Sequence, residues 1–292
     1  MISTKTILAA TDFSPLAGVA LHTADHLGER LSVDHLHVIH VIRDPAGRSA
    51  FSGSTTDDLI AQVKADVQGQ LTQLSIPPKP TITRTARVGI PAREIALEAG
   101  EVGADLIVVG SRGLGGMRRL ILGSVAQDLV RVSPSPVLVV GATWNPSRDF
   151  KKVIAALDLS RVSESVLEWS VAFARAYHGA VDAISIFESA GTLLPADLAI
   201  RWDREALQHH GQALQRIVDG VPHPEVEVTA AALSDVEPKE AIITRAEKTN
   251  ADLIVVGTSG RNAWQRMLIG STTSRVLSDA PCPVLVIPDD GI

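Results

Sequence analysis

A single cysteine, Cys282, is all the thiol in this chain of 292 residues. No internal disulfide can form, so a secreted fold built on bridges is excluded. Aromatic residues are scarce as well, with one Tyr, five Phe and four Trp. An aliphatic balance of that kind suits sheets covered by helices on both faces. No block of Lys or Arg stands out and the formal net charge is −6, which argues against a nucleic-acid groove. No apolar run reaches the roughly 18 residues that a membrane helix needs. The start, Met1-Ile2-Ser3-Thr4-Lys5-Thr6, lacks the basic-then-apolar pattern of a signal peptide. A cytoplasmic protein with no nucleic-acid and no membrane partner is the expectation. The Gly-Lys-Ser/Thr of a P-loop is missing too, as is any evident base for water, so no hydrolytic mechanism is visible.

What the chain has is repetition. Gly110-Ser111-Arg112-Gly113 is followed after nine residues by Gly123-Ser124, and Gly257-Thr258-Ser259-Gly260 after nine residues by Gly270-Ser271. The copies are offset by 147 residues at each glycine (257 − 110 and 270 − 123). Apolar runs, Ala104–Val109 and Ala251–Val256, precede them. The order is buried strand, glycine loop, spacer, glycine-serine, helix. Such a loop lets backbone N–H groups approach a phosphate, and the helix start favours its charge. The length fits two domains, 1–144 and 145–292, joined at the short linker Trp144–Asp149. Each is large enough for its own core.

Both halves alternate strands and helices. In the first, strands are expected at Thr6–Thr11, Val33–Ile42, Thr81–Val88, Asp105–Val109 and Pro136–Val140. Helices are expected at Pro15–Leu31, Pro91–Glu101 and Gly123–Val132, with helical periodicity also in Asp57–Leu74. Ser14-Pro15 supplies an N-cap followed by proline at the first helical position, and Arg43–Thr56 reads as a loop. In the second half the strands are Val153–Leu157, Val181–Phe187, one within Glu225–Leu233, Asp252–Val256 and Pro283–Ile287. Its helices run from a Ser160 cap to Tyr177, within Pro195–Val218, and over Pro238–Lys248 and Ser271–Ser278. Alternation implies parallel pairing with right-handed crossovers, hence two tandem open α/β sheets of about five strands, helices on both faces. Ligands of such sheets sit at the carboxyl ends of the strands, where the strand order reverses. Asp12 and Asp158 end the first strand of each half, and the glycine loops follow the fourth. First and fourth strands are neighbours across that point, which brings each aspartate near its own loop.

These residues resemble the universal stress protein family in its tandem form. The signature Gly-x2-Gly-x9-Gly-Ser/Thr is matched twice. Asp12-Phe13-Ser14, Asp158-Leu159-Ser160, the Ala-Asp-Leu-Ile-Val-Val runs, the closing Pro-Val-Leu-Val segments and His40-Val41 support it. The resemblance implies a Rossmann-like, adenine nucleotide alpha hydrolase-like fold and ATP as the ligand, with or without Mg2+. It points to Asp12 and Val41 for adenosine in the first half and to Asp158 in the second. For the phosphates it points to Gly110, Arg112, Gly113, Gly123, Ser124 and Val125, and to Gly257, Ser259, Gly260, Gly270, Ser271 and Thr272. It also implies pairing of the last strands between domains, and a homo-oligomer in which two tandem chains form a dimer. The halves differ: Ser259 replaces Arg112, Val236 stands where Gly89 does, and Ile184–Glu188 lacks the His-Val pair. The first half is the better equipped.

Each residue also has a plainer role. The glycines suit turns, the aspartates suit a helix dipole, and Ser124 and Ser271 suit N-caps, a role compatible with phosphate binding. His35 and His37 share one strand face and His40 takes the other, so all three cannot meet on one zinc without distortion. His209-His210 reads as a solvated face and Cys282 as a small buried residue. The function that results is an ATP-binding stress-response sensor or regulator with at most slow hydrolysis, acting on unknown regulatory partners. Nucleotide would order Arg43–Thr56 and Gly113–Gly123. The rivals are a tandem scaffold without nucleotide, and an adenosine-nucleotide-dependent transferase or hydrolase. The latter should carry a substrate domain and a catalytic basic or histidine motif, and neither is visible.

Overall fold

The computed structural model describes residues 2–43, 61, 65, 68–69, 81–111, 122–188, 196–235, 237–258 and 270–289. The loop expected at Arg43–Thr56 and most of Asp57–Leu74 fall outside them, although Ala61, Ala65, Gln68 and Gly69 are helical. The chain divides into two compact units, Thr4–Arg148 and one built on Asp149–Ile292.

The first unit runs β1 (Thr6–Ala10), α1 (Pro15–Arg30), β2 (His35–Arg43), β3 (Thr81–Gly89), α2 (Pro91–Val102), β4 (Leu106–Gly110), α3 (Ser124–Val132) and β5 (Val137–Val140). Its strand order is β3-β2-β1-β4-β5, parallel throughout. The second runs β6 (Lys152–Ala156), α4 (Val162–Ala176), β7 (Ala180–Glu188), α5 (Ala196–Gly220), β8 (Glu227–Asp235), α6 (Pro238–Thr249), β9 (Leu253–Gly257), α7 (Ser271–Asp279) and β10 (Val284–Ile287). Its order is β8-β7-β6-β9-β10, again parallel. The central strands are buried aliphatic runs such as Ile7-Leu8-Ala9 and Leu106-Ile107-Val108-Val109, as sheets covered on both faces require.

Helix ends follow local chemistry. Ser14 caps α1, its Oγ accepting from Ala17 N at 3.2 Å, with Pro15 next. In the second unit Ser160 does not cap: Arg161 holds the N-cap position without a side-chain bond, and α4 starts at Val162. Without a proline after Ser160, nothing fixes the helix to begin there. Gly103 at φ 62° and Asn250 at φ 51° end α2 and α6 in the left-handed conformation, the two residues best suited to it.

Asp105 and Asp252, expected as the first residues of strands, lie just before β4 and β9 and turn their carboxylates sideways. Asp105 Oδ2 accepts from Lys5 N at 2.7 Å and Thr6 N at 2.9 Å. Asp252 Oδ2 accepts from Lys151 N at 3.1 Å and Lys152 N at 2.9 Å. Each thereby ties the start of the first strand to that of the fourth. Asp252 is buried, so Asp252→Ala leaves two backbone donors without their anion and is expected to cost about 2–3 kcal/mol. Urea unfolding would measure it, and Asp105→Ala, at a less buried site, should cost less.

A second repeated contact has opposite chemistry in the two units. His37, third residue of β2, lies with Nδ1 2.6 Å from Thr83 Oγ1 and Nε2 2.7 Å from Glu98 of α2. Arg87 of β3 pairs with Glu98, with Glu101 and, at 3.5 Å, with Glu94. At the matching positions Asp182 of β7 receives Arg245 Nε of α6 at 2.7 Å and Thr229 Oγ1 at 3.4 Å. Burial pushes the His37 imidazole below its ordinary value, Glu98 opposing and Arg87 reinforcing the shift. A histidine with a lowered folded pKa takes up protons more readily when unfolded, so stability is full above the unfolded value, about 6.5, and falls as pH drops through it. The urea midpoint of the first unit should therefore decline from pH 7 towards pH 5, and His37→Gln should flatten that slope.

Candidate functional site

β1 ends where its hydrogen bonding passes to a loop. Thr11 N, one residue past β1, donates to Ile39 O of β2 at 2.9 Å. Asp12 Oδ1 then accepts from Ser14 N at 3.0 Å, an Asx turn. Between them Phe13 is held at φ 61°, an uncommon conformation for a bulky side chain that gathers at functional sites. The second unit repeats the turn: Asp158 Oδ1 accepts from Ser160 N at 3.0 Å and from Ser163 Oγ at 3.1 Å, and Leu159 sits at φ 62°. Asp158 Oδ2 is buried without a hydrogen-bond partner.

β2 runs past the end of β1 to Arg43, staying paired with β3. Ile39 turns its carbonyl to the β1 side, so Val41, two residues on, turns its backbone groups to that same side. They face the space that β1 vacates, beside the Asp12 loop. The counterpart in β7 is Ile186, since Leu157 N donates to Ile184 O at 2.8 Å. No side-chain pattern marks Ile186, because the correspondence is one of backbone register. His40, next to Val41, places its ring 4.8 Å from that of Phe13, and its Nδ1 lies 2.8 Å from Thr11 O. His37 faces α2 and His40 faces the Phe13 loop, so the two rings leave the strand in different directions.

Gly110 closes β4 and pairs with Val140; Gly257 closes β9 and pairs with Ile287. Each glycine segment is tied at its base. Gly123 N donates to Ser111 O at 2.7 Å, and Gly270 N to Thr258 O at 2.9 Å. The helices then begin, but Ser124 and Ser271 are not their caps. Gly123 and Gly270 are, with no side-chain cap bond at either. Gln127 N is the first to bond back, to Gly123 O at 3.0 Å. The preceding N–H groups, those of Ser124, Val125 and Ala126, have no acceptor within the helix. Ser271 and Thr272 open α7 in the same way, where Thr273 Oγ1 also donates to Gly257 O at 2.7 Å. Ala126 stands at that position in the first unit.

β1 and β4 are neighbours, as are β6 and β9. The aspartate turn and the glycine-capped helix thus meet at the carboxyl ends of adjacent strands, where the chain order reverses. Asp12, Val41, Gly110, Gly123, Ser124 and Val125 border that point in the first unit, and Asp158, Gly257, Gly270, Ser271 and Thr272 in the second. Arg112, Gly113, Ser259 and Gly260 lie outside the described residues, as does the Gly113–Gly123 loop short of residue 122. Among the described residues no group of three His, Cys, Asp or Glu is placed to hold a metal ion, and no helix is long and apolar enough to cross a membrane. Two minor expectations are corrected. Cys282 is half-buried rather than buried, and His209 is exposed while His210 is half-buried with its ring 5.1 Å from that of Phe187.

Two open parallel sheets, each with an acidic turn and a glycine-bordered helix start at its switch point, define a Rossmann-like tandem α/β protein. The sequence profile of the universal stress protein family matches residues 3–141 and 149–288, and the chain belongs to that family. A universal stress protein of Mycobacterium tuberculosis is 27% identical over 277 residues, covering 90% of this chain and 78% of the relative. One from Mycolicibacterium smegmatis is 31% identical over 190 residues, 63% of this chain and 62% of its own length, so less than two thirds of that relative is spanned. The crystal structure of a universal stress protein from Archaeoglobus fulgidus is 22% identical, with a TM-score of 0.68 over 99% of this chain and 100% of the other. That likeness concerns the fold alone.

Proposed function

We propose that the chain is an ATP-binding stress-response regulator of the cytoplasm, with the first unit as its better-equipped site. The observation that carries this is the helix start at Gly123–Val125. It has a glycine cap, no capping side chain, and free N–H groups beside the Asp12 turn. Such a helix end attracts phosphate, and a carboxylate at the neighbouring strand end accepts from ribose hydroxyls. Gly110, Arg112, Gly113, Gly123, Ser124 and Val125 would take the phosphates, and Asp12 with the Val41 backbone the nucleoside. Asp158, Gly257, Ser259, Gly260, Gly270, Ser271 and Thr272 would do the same in the second unit. The ATP would be bound with or without Mg2+. Hydrolysis would be slow at most. Two tandem chains would form a dimer.

The experiment is release of nucleotide from the freshly purified protein, quantified by chromatography per chain. About one or two equivalents of ATP or ADP, on a stoichiometric basis for two sites, support the reading. No bound nucleotide, together with no rise in melting temperature on adding ATP and Mg2+, would overturn it and leave a scaffold.

A further inference from the structure

The two units hold their aspartate turns by different means. In the first, the ring of His40 reaches from β2 to the β1–α1 loop. A carbonyl only accepts, so the 2.8 Å contact with Thr11 O fixes the proton on Nδ1. The ring also packs on Phe13, at 4.8 Å and 33° between planes. Thr11 Oγ1 in turn accepts from Phe13 N at 3.0 Å, and Asp12 Oδ1 from Ser14 N at 3.0 Å. His40 thus grips the residues on both sides of Asp12. In the second unit the sixth residue of β7 is Ser185, whose buried Oγ makes no hydrogen bond, and Leu159 replaces Phe13. There Ser163 of α4 donates to Asp158 directly, at 3.1 Å; Ala17 stands at that place in α1.

We propose that His40 is a positioning residue for the first nucleotide site: it fixes, from β2, the loop that presents Asp12, a task that Ser163 performs for Asp158. The role rests on the nucleotide-binding reading above. Val41 follows His40 directly, so the grip also sets the spacing between the Val41 backbone and Asp12, the two sides of a nucleoside pocket.

The test uses the full chain with His40→Phe, which keeps a ring on Phe13 but has no donor, and His40→Asn, whose amide nitrogen replaces Nδ1. ATP is titrated calorimetrically, and the first site is the one that Asp12→Ala weakens. Hydrogen exchange of residues 11–17 is followed without nucleotide. His40→Phe should weaken the first site about ten-fold, the loss of one positioned charge-assisted contact, while His40→Asn stays within about three-fold. Exchange in residues 11–17 should rise in the Phe variant alone. Unchanged affinity in His40→Phe, equal weakening in His40→Asn, or exchange that rises across the whole unit each overturns the role. A wild-type chain that binds no adenine nucleotide overturns the function as well, which separates the two failures.

Discussion

Asp12→Ala should lower ATP affinity about 10- to 100-fold, as expected when a carboxylate that bonds a ligand is removed. The same carboxylate forms the Asx turn through Ser14 N, so alanine also loosens the loop. Asp12→Asn separates these effects. An asparagine oxygen still accepts from Ser14 N and keeps the turn, but it has no charge to attract ribose hydroxyls and offers them a weaker acceptor. Binding by the Asn variant should be much weaker than wild type while its melting temperature stays close to it. Calorimetric titration decides the matter: if Asp12→Ala binds as wild type does, the carboxylate serves the helix end and nothing else. Asp158→Ala, read in the same experiment, reports on the second unit.

Gly179→Ala is the substitution with the largest expected effect on stability. A Cβ at Gly179 would stand 2.2 Å from Lys151 O and 2.6 Å from its carbonyl carbon and Cα, all backbone. The reason lies in the length of one connection. In the first unit, Ser32 at φ 55° is followed by Val33 and Asp34 before β2 begins, and Lys5 O accepts from both Asp34 N and His35 N. In the second, His178 at φ 52° is followed by Gly179 alone, and Lys151 O accepts from Ala180 N at 2.8 Å. One residue fewer makes the chain turn tightly against Lys151, leaving no room for a side chain. Backbone cannot yield as a side-chain tip can, so a cost of about 3 kcal/mol or more is expected. In a chain of this size that lowers the melting temperature by about 6–12 °C. Gly18→Ala is the control. It lies inside α1 with nothing within 4 Å of its new Cβ, and should stabilise by about 0.5–1 kcal/mol. Equal melting temperatures for Gly179→Ala and wild type would refute the argument.

That same missing residue shows what the sequence can and cannot carry. Parallel sheets are legible from alternation, and the placing of Asp12 and Asp158 just past the first strands from the apolar runs that stop there. The α1 start was legible because Ser14 and Pro15 act locally. The Ser160 cap was not, because an identical serine without proline leaves the start to tertiary packing. Asp105 and Asp252 looked like parts of strands, since their partners lie about a hundred residues away along the chain. The offset of 147 between glycines becomes 145 between β2 and β7, which hid the match of His37 with Asp182 and of Val41 with Ile186. Gly123 and Gly270 take the N-cap positions of their helices with negative φ, so the turn role suggested by glycine's freedom at positive φ does not describe them. Their value at this helix start is the absence of a side chain that would occupy the cap.

The reversed polar pair has a consequence for how a duplicated chain assembles. Two halves with the same strand order offer each crossover helix two beds of nearly equal shape, a hazard for tandem repeats. If α2 settled on the wrong bed, Glu98 would meet the carboxylate of Asp182. If α6 did so, the guanidinium of Arg245 would meet that of Arg87. Both mistakes set like charges side by side at positions where Arg87, Asp182 and Arg245 are partly exposed, which disfavours them. His37–Glu98 and Asp182–Arg245 are thus unlike pairs, each complementary only within its own half.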